Sequence, residues 1–481
     1  GADNSRPVPK KLESTCAEAC FSPFYLPLPK RFLRAGSTKA NLSRFNLIAL
    51  GAAVICEEYM PDIARLLLSR SKALALCTSM ALSVSACIQL PEEFEDDTPQ
   101  ENQQPQTANE QNEPEASVND ESRTLNLPVT AFNYANIPLP QHYLQNQYPA
   151  TMPFQSAAVD NDNTPGNNPI SDAGATLGRV LFYDTRLSAN GTVSCASCHL
   201  QAFAFSDPNR LSRGFAGGLT RRHSMGLSNA RFYASGKFFW DERADTLEQQ
   251  VLMPIQDEVE MGMNLASLVS VVSAQDFYPA LFMDAFGDNA INSDRIARAL
   301  AQFVRSIVST RSLYDVGRAQ VNSPLDDFPN FSRSQNLGKR LFNNPGQNLP
   351  PCAACHASEA FVGIDPAANN GLDRASRTDL GIGESTGNRA DDGKFKTPSL
   401  RNIALRPPFM HDGRFNTLSE VIQFYSRDIE SHPNLHPLLT DNRGRAIHYR
   451  FNNDERRALV AFLNTLTDFE LITDEKYSDP F

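Results

Sequence analysis

The chain has 481 residues, with 55 Asp and Glu against 44 Lys and Arg, a net charge of −11. That acidic balance argues against a nucleic-acid partner, which is met by a basic face. It favours a positively charged partner only weakly, because whole-chain charge says little about any one patch. The length allows more than one core, and nine cysteines pose a choice between disulfides, a metal and a covalent cofactor.

Residues 1–59 carry no recognisable chemistry and are expected to be absent from the mature protein, with Cys16, Cys20 and Cys56. Met60 opens an export signal spanning 60–87. Arg65, Arg70 and Lys72 supply its basic start, and Ala73 to Ala86 is an apolar run too short to span a bilayer as a helix. It closes on Val84-Ser85-Ala86-Cys87, which looks like a bacterial lipobox whose Cys is lipidated; an ordinary signal peptide is the alternative. The expectation is a periplasm-facing lipoprotein of the cell envelope, anchored at Cys87 in the outer membrane. Residues 88–124 are acidic and rich in Asn, Gln and Pro, with too little apolar surface to offset ordering entropy, and read as a flexible tether.

The body, 125–481, contains a repeat. Leu177-Gly178-Arg179-Val180-Leu181-Phe182 stands eighteen residues before Cys195-Ala196-Ser197-Cys198-His199. Leu337-Gly338-Lys339-Arg340-Leu341-Phe342 stands fifteen before Cys352-Ala353-Ala354-Cys355-His356. Cys-x-x-Cys-His is the c-type haem attachment signature: two thiols on one turn add to the haem vinyl groups and the His reaches the iron. A zinc site would place its Cys pairs roughly 15–20 residues apart, whereas these begin at 195 and 352. Setting aside Cys77 and Cys87 with the three upstream cysteines leaves four, all in the two haem motifs, so no disulfide framework is needed. Haem attachment occurs on the oxidising side of the bacterial inner membrane, in keeping with export.

Between the motifs, Arg213-Gly214-Phe215-Ala216-Gly217-Gly218-Leu219-Thr220 is a glycine-rich loop without a His, and His223 follows it. Trp240, the only tryptophan, stands in Phe239-Trp240-Asp241-Glu242-Arg243. Asp245-Thr246-Leu247-Glu248 reads as a capping box opening a short helix that Pro254 should end. Asp294 is placed to cap a helix to about Val308, whose Ile296, Leu300, Phe303, Val304 and Ile307 follow helical spacing. Beyond the second motif come His411-Asp412-Gly413-Arg414 and a second capping box, Thr417-Leu418-Ser419-Glu420. Leu418, Val421, Ile422 and Tyr425 share a helical face, so Tyr425 also has a plain core reading. His432, His436 and His448 read as surface or loop residues. No long alternating strand pattern appears. The predicted fold is mostly α and loop-rich, with two cytochrome-c-like haem domains at 125–315 and 316–481.

Leu177–His199, Phe238–Met263 and Phe395–Tyr425 together resemble the bacterial di-haem cytochrome c peroxidases and their relative MauG, over nearly all of the body. The resemblance implies a peroxidatic N-terminal haem held by Cys195, Cys198 and His199, and a C-terminal haem held by Cys352, Cys355 and His356 that stores or relays electrons. It implies that the chain's end packs back on the first domain. It sets Trp240 between the haems and Gln250, Pro254 and Glu260 around the distal pocket. Physical chemistry favours Glu260 as the working group: splitting peroxide requires a proton to move from one oxygen to the other, which one carboxylate can do. Gln250 can donate a hydrogen bond but cannot shuttle protons.

Many family members block the resting peroxidatic haem with a distal His in the loop corresponding to 213–220. Its absence here implies an open haem. His223 falls where the family has an Asn ligand to a Ca2+ ion between the domains; imidazole is a poor ligand for that hard cation. His223 is also the other candidate for a blocking ligand. Fourteen residues after the His of the His-Asp-Gly motif many members place a Met on the second iron; here Tyr425 stands there, as in MauG. A phenolate would stabilise oxidised iron and lower the reduction potential, the reverse of a thioether. Met410 is the rival ligand.

The expected function is therefore a di-haem c-type peroxidase. Hydrogen peroxide would react at the open first haem. The oxidising equivalents would be shared through Trp240 with a His356/Tyr425 haem, both irons formally Fe(IV). An external donor, a small redox protein or an oxidisable protein substrate, would discharge them. The alternatives are a cytochrome-fed peroxidase with Met410 on the second iron, a non-catalytic di-haem electron carrier with both haems six-coordinate, and a peroxide sensor signalling through the tether. The Gln250, Pro254 and Glu260 constellation speaks against the carrier.

Overall fold

The computed structural model describes residues 124–481 apart from 153–154, 347–348 and 364–366. The export signal, Cys87 and the tether before residue 124 lie outside the described residues. The protein is mostly α and rich in loops. Among the described residues β structure is limited to isolated bridges, and no single helix is long and apolar enough to cross a membrane. The helices that position the site are α1 (Asp172–Tyr183), α2 (Leu247–Gln250), α3 (Ser293–Ser306), α4 (Arg333–Asn343), α5 (Leu418–Gln423) and α6 (Asn453–Asn464).

The repeated Leu-Gly-x-x-Leu-Phe phrase is a helix crossing. It lies in α1 and again in α4, and its glycine is where a second helix touches. A Cβ on Gly178 would collide with the Ala299 carbonyl of α3, and one on Gly338 with the Ala458 carbonyl of α6. Each crossing continues onto a phenylalanine, Phe303 and Phe462. The partner helices thus carry a repeat of their own, Ala299-Leu300-x-x-Phe303 and Ala458-Leu459-x-x-Phe462. Leu177, Val180, Leu181, Leu300 and Phe303 are all but fully buried around the first crossing, as are Leu459 and Phe462 at the second. Burying each such side chain contributes roughly 1.5–3 kcal/mol.

Two apolar cores follow. One gathers residues from Tyr134 to Val308 and takes in Leu471 and Tyr477 from the end of the chain. The other runs from Tyr314 to Leu466. The C-terminal segment is tied to the first core by backbone acceptors. The Tyr183 hydroxyl donates to Tyr477 O (2.6 Å), Arg179 Nε to Ser478 O (2.7 Å), and Asn126 N to Pro480 O (2.7 Å).

Three details of the helix ends differ from the sequence-based expectation. The α3 cap is Asn292, which accepts from Arg295 N; Asp294 lies inside the first turn, paired with Arg298 one turn on (2.9 Å). Thr246 does cap α2, but through Gln249 N, and Glu248 turns away to Arg305. Pro254 does not end that helix. It sits in the first turn of the next one, Met253–Gln256, where a missing N–H costs nothing. The second capping box has the expected form, with Thr417 Oγ1 accepting from Glu420 N and Glu420 Oε2 from Thr417 N.

Candidate active site

Two cavities open on the two Cys-x-x-Cys-His turns. The first, about 500 Å³, is lined by Cys195, Cys198 and His199, and also by Trp240, Gln250, Pro254 and Glu260. The second, about 220 Å³, is lined by Cys352, Cys355 and His356, and also by Met410, His411 and Tyr425. The sequence-predicted residues therefore fall into one group per cavity, and Trp240 lines both.

Each haem motif is a single turn closed by its own histidine. His199 N donates to Cys195 O and His356 N to Cys352 O, both at 3.0 Å. The next residue bridges back across a short loop, Leu200 to Ser206 and Ala357 to Val362. That loop orients the first ring: His199 Nδ1 lies 2.9 Å from Phe205 O, so Nδ1 carries the proton and Nε2 keeps its lone pair. Burial lowers the pKa of both imidazoles, that of His356 to about 4, against the opposing carbonyls of Phe205 and Met225 for His199 and of Pro398 and Phe361 for His356. Buried His356 Nδ1 has no hydrogen bond of good geometry. None of the four cysteines is in a disulfide. Two thiols one turn apart, a neutral imidazole and an apolar cavity are the donor set that a covalently attached haem takes, and both sites fit it. Among the described residues no group of three or more His, Cys, Asp or Glu is arranged to hold a metal ion.

Trp240 is set by a tight turn. Glu242 N donates to Phe239 O (3.2 Å), Phe239 and Glu242 have positive φ, and Phe238 bridges to Ala244. Asp241 anchors the turn through Arg222 (2.5 Å) and Arg243 (3.0 Å). The indole N–H donates to His223 O (2.8 Å), and Trp240 O accepts from Lys396 N (2.8 Å). A second turn of the same build carries His411. Met410 and Gly413 have positive φ, Phe409 bridges to Phe415, and Asp412 pairs with Arg414 (2.8 Å). The two stretches align as Phe238-Phe239-Trp240-Asp241-Glu242-Arg243 and Phe409-Met410-His411-Asp412-Gly413-Arg414. Each is followed by a Thr-capped helix, α2 and α5. Trp240 and His411 are counterparts, and their rings meet edge to face with centroids 6.4 Å apart. In this register Pro254 and Tyr425 are counterparts too, each eight residues beyond the capping threonine.

One wall of the first cavity is carried by α2 and the segment after it. Glu248 accepts from Arg305 Nη1 (2.6 Å), Arg305 Nη2 (3.0 Å) and Asn168 Nδ2 (2.7 Å), which fixes the helix bearing Gln250. Glu260 is held by its backbone, with its N–H on Asp257 Oδ1 (3.0 Å) and its carbonyl accepting from Phe215 N (3.0 Å). The glycine-rich loop is thus a compact turn strapped onto the Glu260 segment. Burial, with a smaller push from Asp257 and against the pull of Arg243, raises the Glu260 carboxyl to about 7. A carboxyl at that value can give and take a proton at neutral pH.

His223 is buried, with Nδ1 3.2 Å from Asn209 O, to which it donates; Nε2 lies 3.4 Å from Ser206 Oγ, whose proton goes to Ser224 O (2.7 Å). In the second cavity Tyr425 sits in a π-helical turn, Phe424–Asp428, that continues α5; such turns recur at functional sites. Asn370, which the sequence did not suggest, places Nδ2 3.3 Å from the Tyr425 hydroxyl and 3.8 Å from Met410 Sδ, so both rival ligands meet at one amide. Burial raises the Tyr425 phenol to about 12. His432 and His436 lie in loops, as expected, but not as plain surface residues: His432 is buried and accepts from Ser376 N (3.2 Å), and His436 lines the second cavity.

Residues 172–321 and 332–466 match the family model for di-haem cytochrome c peroxidase, CCP_MauG. The methylamine utilization protein MauG of Methylophilus methylotrophus is 34% identical over 309 residues, 64% of this chain and 86% of that protein. The cytochrome c551 peroxidase of Nitrosomonas europaea is 32% identical over 309 residues, 62% of this chain and 82% of its own length. Among solved structures, a MauG-like protein associated with microbial copper homeostasis superposes with a TM-score of 0.58 at 31% identity, covering 72% of this chain and 99% of that one. The diheme peroxidase BthA of Burkholderia thailandensis shares the fold with a TM-score of 0.51 at 23% identity, over 66% of this chain and 92% of its own. The match spans both haem turns, both helix crossings and both cavities, and the chain belongs to the di-haem cytochrome c peroxidase and MauG family of oxidoreductases, whose members carry two c-type haems.

Proposed function

We propose that this di-haem peroxidase reduces hydrogen peroxide at the first cavity and shares the resulting oxidising equivalents with the second haem through Trp240. The observation that carries the reading is that one indole lines both cavities. When bound, the haems supply the redox chemistry; the chain supplies position and protons. Cys195, Cys198 and His199 would hold the first haem, and Cys352, Cys355 and His356 the second. Gln250 orients peroxide by hydrogen bonding. Glu260, with its carboxyl raised to about 7, takes a proton from one peroxide oxygen and returns it to the other. His223, buried and tied through Nδ1 to Asn209 O, leaves the distal face open. Trp240, braced by the His223 carbonyl and the Lys396 N–H, is the aromatic bridge. An external redox donor then resets the enzyme.

Tyr425 is the ligand we assign to the second haem beside His356. The chain's own repeat supports this: Tyr425 is the counterpart of Pro254, which lines the first cavity together with Gln250 and Glu260. Rapid mixing of the ferric holoprotein with peroxide tests the bridge. In Trp240→Phe the first haem's absorption change should keep its rate, while that of the second slows by at least tenfold. Equal rates at both haems in the variant would remove Trp240 from the path.

A further inference from the structure

Arg406 is 7% exposed and lines the second cavity. Its Nη2 donates to Ser399 O (2.5 Å), while its buried Nε has no acceptor among the described residues. The guanidinium packs so closely on Gly226 that a Cβ there would collide with Nη1. Among the described residues it has no carboxylate in salt-bridge range, unlike the buried Arg222, Arg305, Arg318 and Arg401, which are paired with Asp241, Glu248, Glu359 and Asp315; buried Arg179 also lacks one, but it lines neither cavity and is held by Ser478. A buried charge without a partner is costly, because its hydration is lost and nothing replaces it. A guanidinium with no acid partner among the described residues and with a face on a cavity is placed to meet an anion held in that cavity.

Its place in the repeat narrows the anion. Asn229 and Asn402 are counterparts, each left-handed and each opening a short 3-10 turn, Ala230–Phe232 and Ile403–Leu405. The residue after each turn is Tyr233 in the first domain and Arg406 in the second. The counterpart on the first haem's side is therefore a neutral phenol, which accepts from Ser399 N (3.1 Å). The cations that line the first cavity, Arg221, Arg222, Arg243 and Lys396, are each paired with a carboxylate, so the cation without one lies on the second cavity. Lys396, the other buried cation there, is already paired with Glu242 (3.1 Å).

We infer that Arg406 is the anchor for a propionate of the second haem, a charge-assisted, carboxylate-specific contact whose counterpart position in the first domain carries the phenol of Tyr233. The inference rests on the di-haem reading. A fixed positive charge beside the second haem favours its reduced form and so sets a difference in potential between two sites of otherwise repeated build.

The test uses holoprotein with both haems attached, verified by haem content, so that loss of the di-haem reading is seen separately. Arg406→Gln should lower the midpoint potential of the second haem in a spectroelectrochemical titration, leave that of the first in place, and shift the propionate bending band in the resonance Raman spectrum. Arg406→Lys should restore most of the potential, because it keeps the charge, while the band stays shifted, because the planar fork is lost. An unchanged second-haem potential in Arg406→Gln would overturn the assignment. Should Arg406→Gln fail to load haem, a wild-type propionate band in Arg406→Lys would overturn it as well.

Discussion

Replacing Glu260 by Gln keeps the size and hydrogen-bonding reach of the side chain and removes only its proton. Burial raises the Glu260 carboxyl from 4.5 to about 7, so near neutral pH it is divided between its acid and base forms, the condition for moving a proton both ways. General acid–base catalysis of this kind is worth about 10²–10⁴-fold, so the second-order rate constant for peroxide should fall by about 10²-fold or more, about 3 kcal/mol of barrier. Stopped-flow mixing of the ferric holoprotein with peroxide reads this directly. The wild-type rate should rise with pH through about 7 as the base form appears, and Glu260→Gln should lose that inflection. Stability should move the other way. A carboxyl whose folded pKa lies above its unfolded one weakens the fold increasingly as pH rises from 4.5, with the full effect present above about 7. Glu260→Gln should therefore melt higher than wild type above neutrality, by at most about 3 kcal/mol, and equally below pH 4.5. A variant with wild-type peroxide kinetics and an unmoved inflection would refute the proton-shuttle role, whatever its stability.

Two further outcomes follow from the geometry. Tyr425→Phe should raise the midpoint potential of the second haem and shift its low-spin signal, while Met410→Leu should leave both in place; a shift confined to Met410→Leu would make the thioether the ligand. Gly338→Val should force α4 from α6 at the Ala458 carbonyl, an overpacking cost of about 1–3 kcal/mol, read as a lower denaturation midpoint; an unchanged midpoint would mean that the crossing is not close-packed.

The haem turns were legible because covalent attachment demands two thiols and an imidazole at fixed spacing, and no packing context alters that. The α1 and α4 phrases were legible because a close helix crossing needs a glycine between apolar residues. The matching repeat in α3 and α6 was as regular, but its alanines and phenylalanines look like ordinary helix core. The repeat joining the Trp240 and His411 turns escaped for another reason. Its invariants are backbone geometry, two positive φ values and an Asp–Arg pair, while the exposed difference is Trp against His and Glu against Gly. Side-chain competition decided the α3 cap: Asn292 and Asp294 are both good caps, and only the path of the preceding chain selects between them. Asn370 and Arg406 gave no signal, because an amide 55 residues from Tyr425 and an arginine buried without an acid partner among the described residues become visible only when the chain is folded. His432 lies in a polar, Pro-containing stretch, and its burial beside Ser376 is a tertiary event.

The central claim is that peroxide enters at an open first haem and that both haems are oxidised. The most direct measurement is electron paramagnetic resonance of the purified ferric protein before and after one equivalent of peroxide. The account predicts one high-spin and one low-spin ferric signal at rest, both lost on adding peroxide without a strong radical in their place. Two low-spin signals at rest, unmoved by peroxide, would contradict it and leave a di-haem electron carrier.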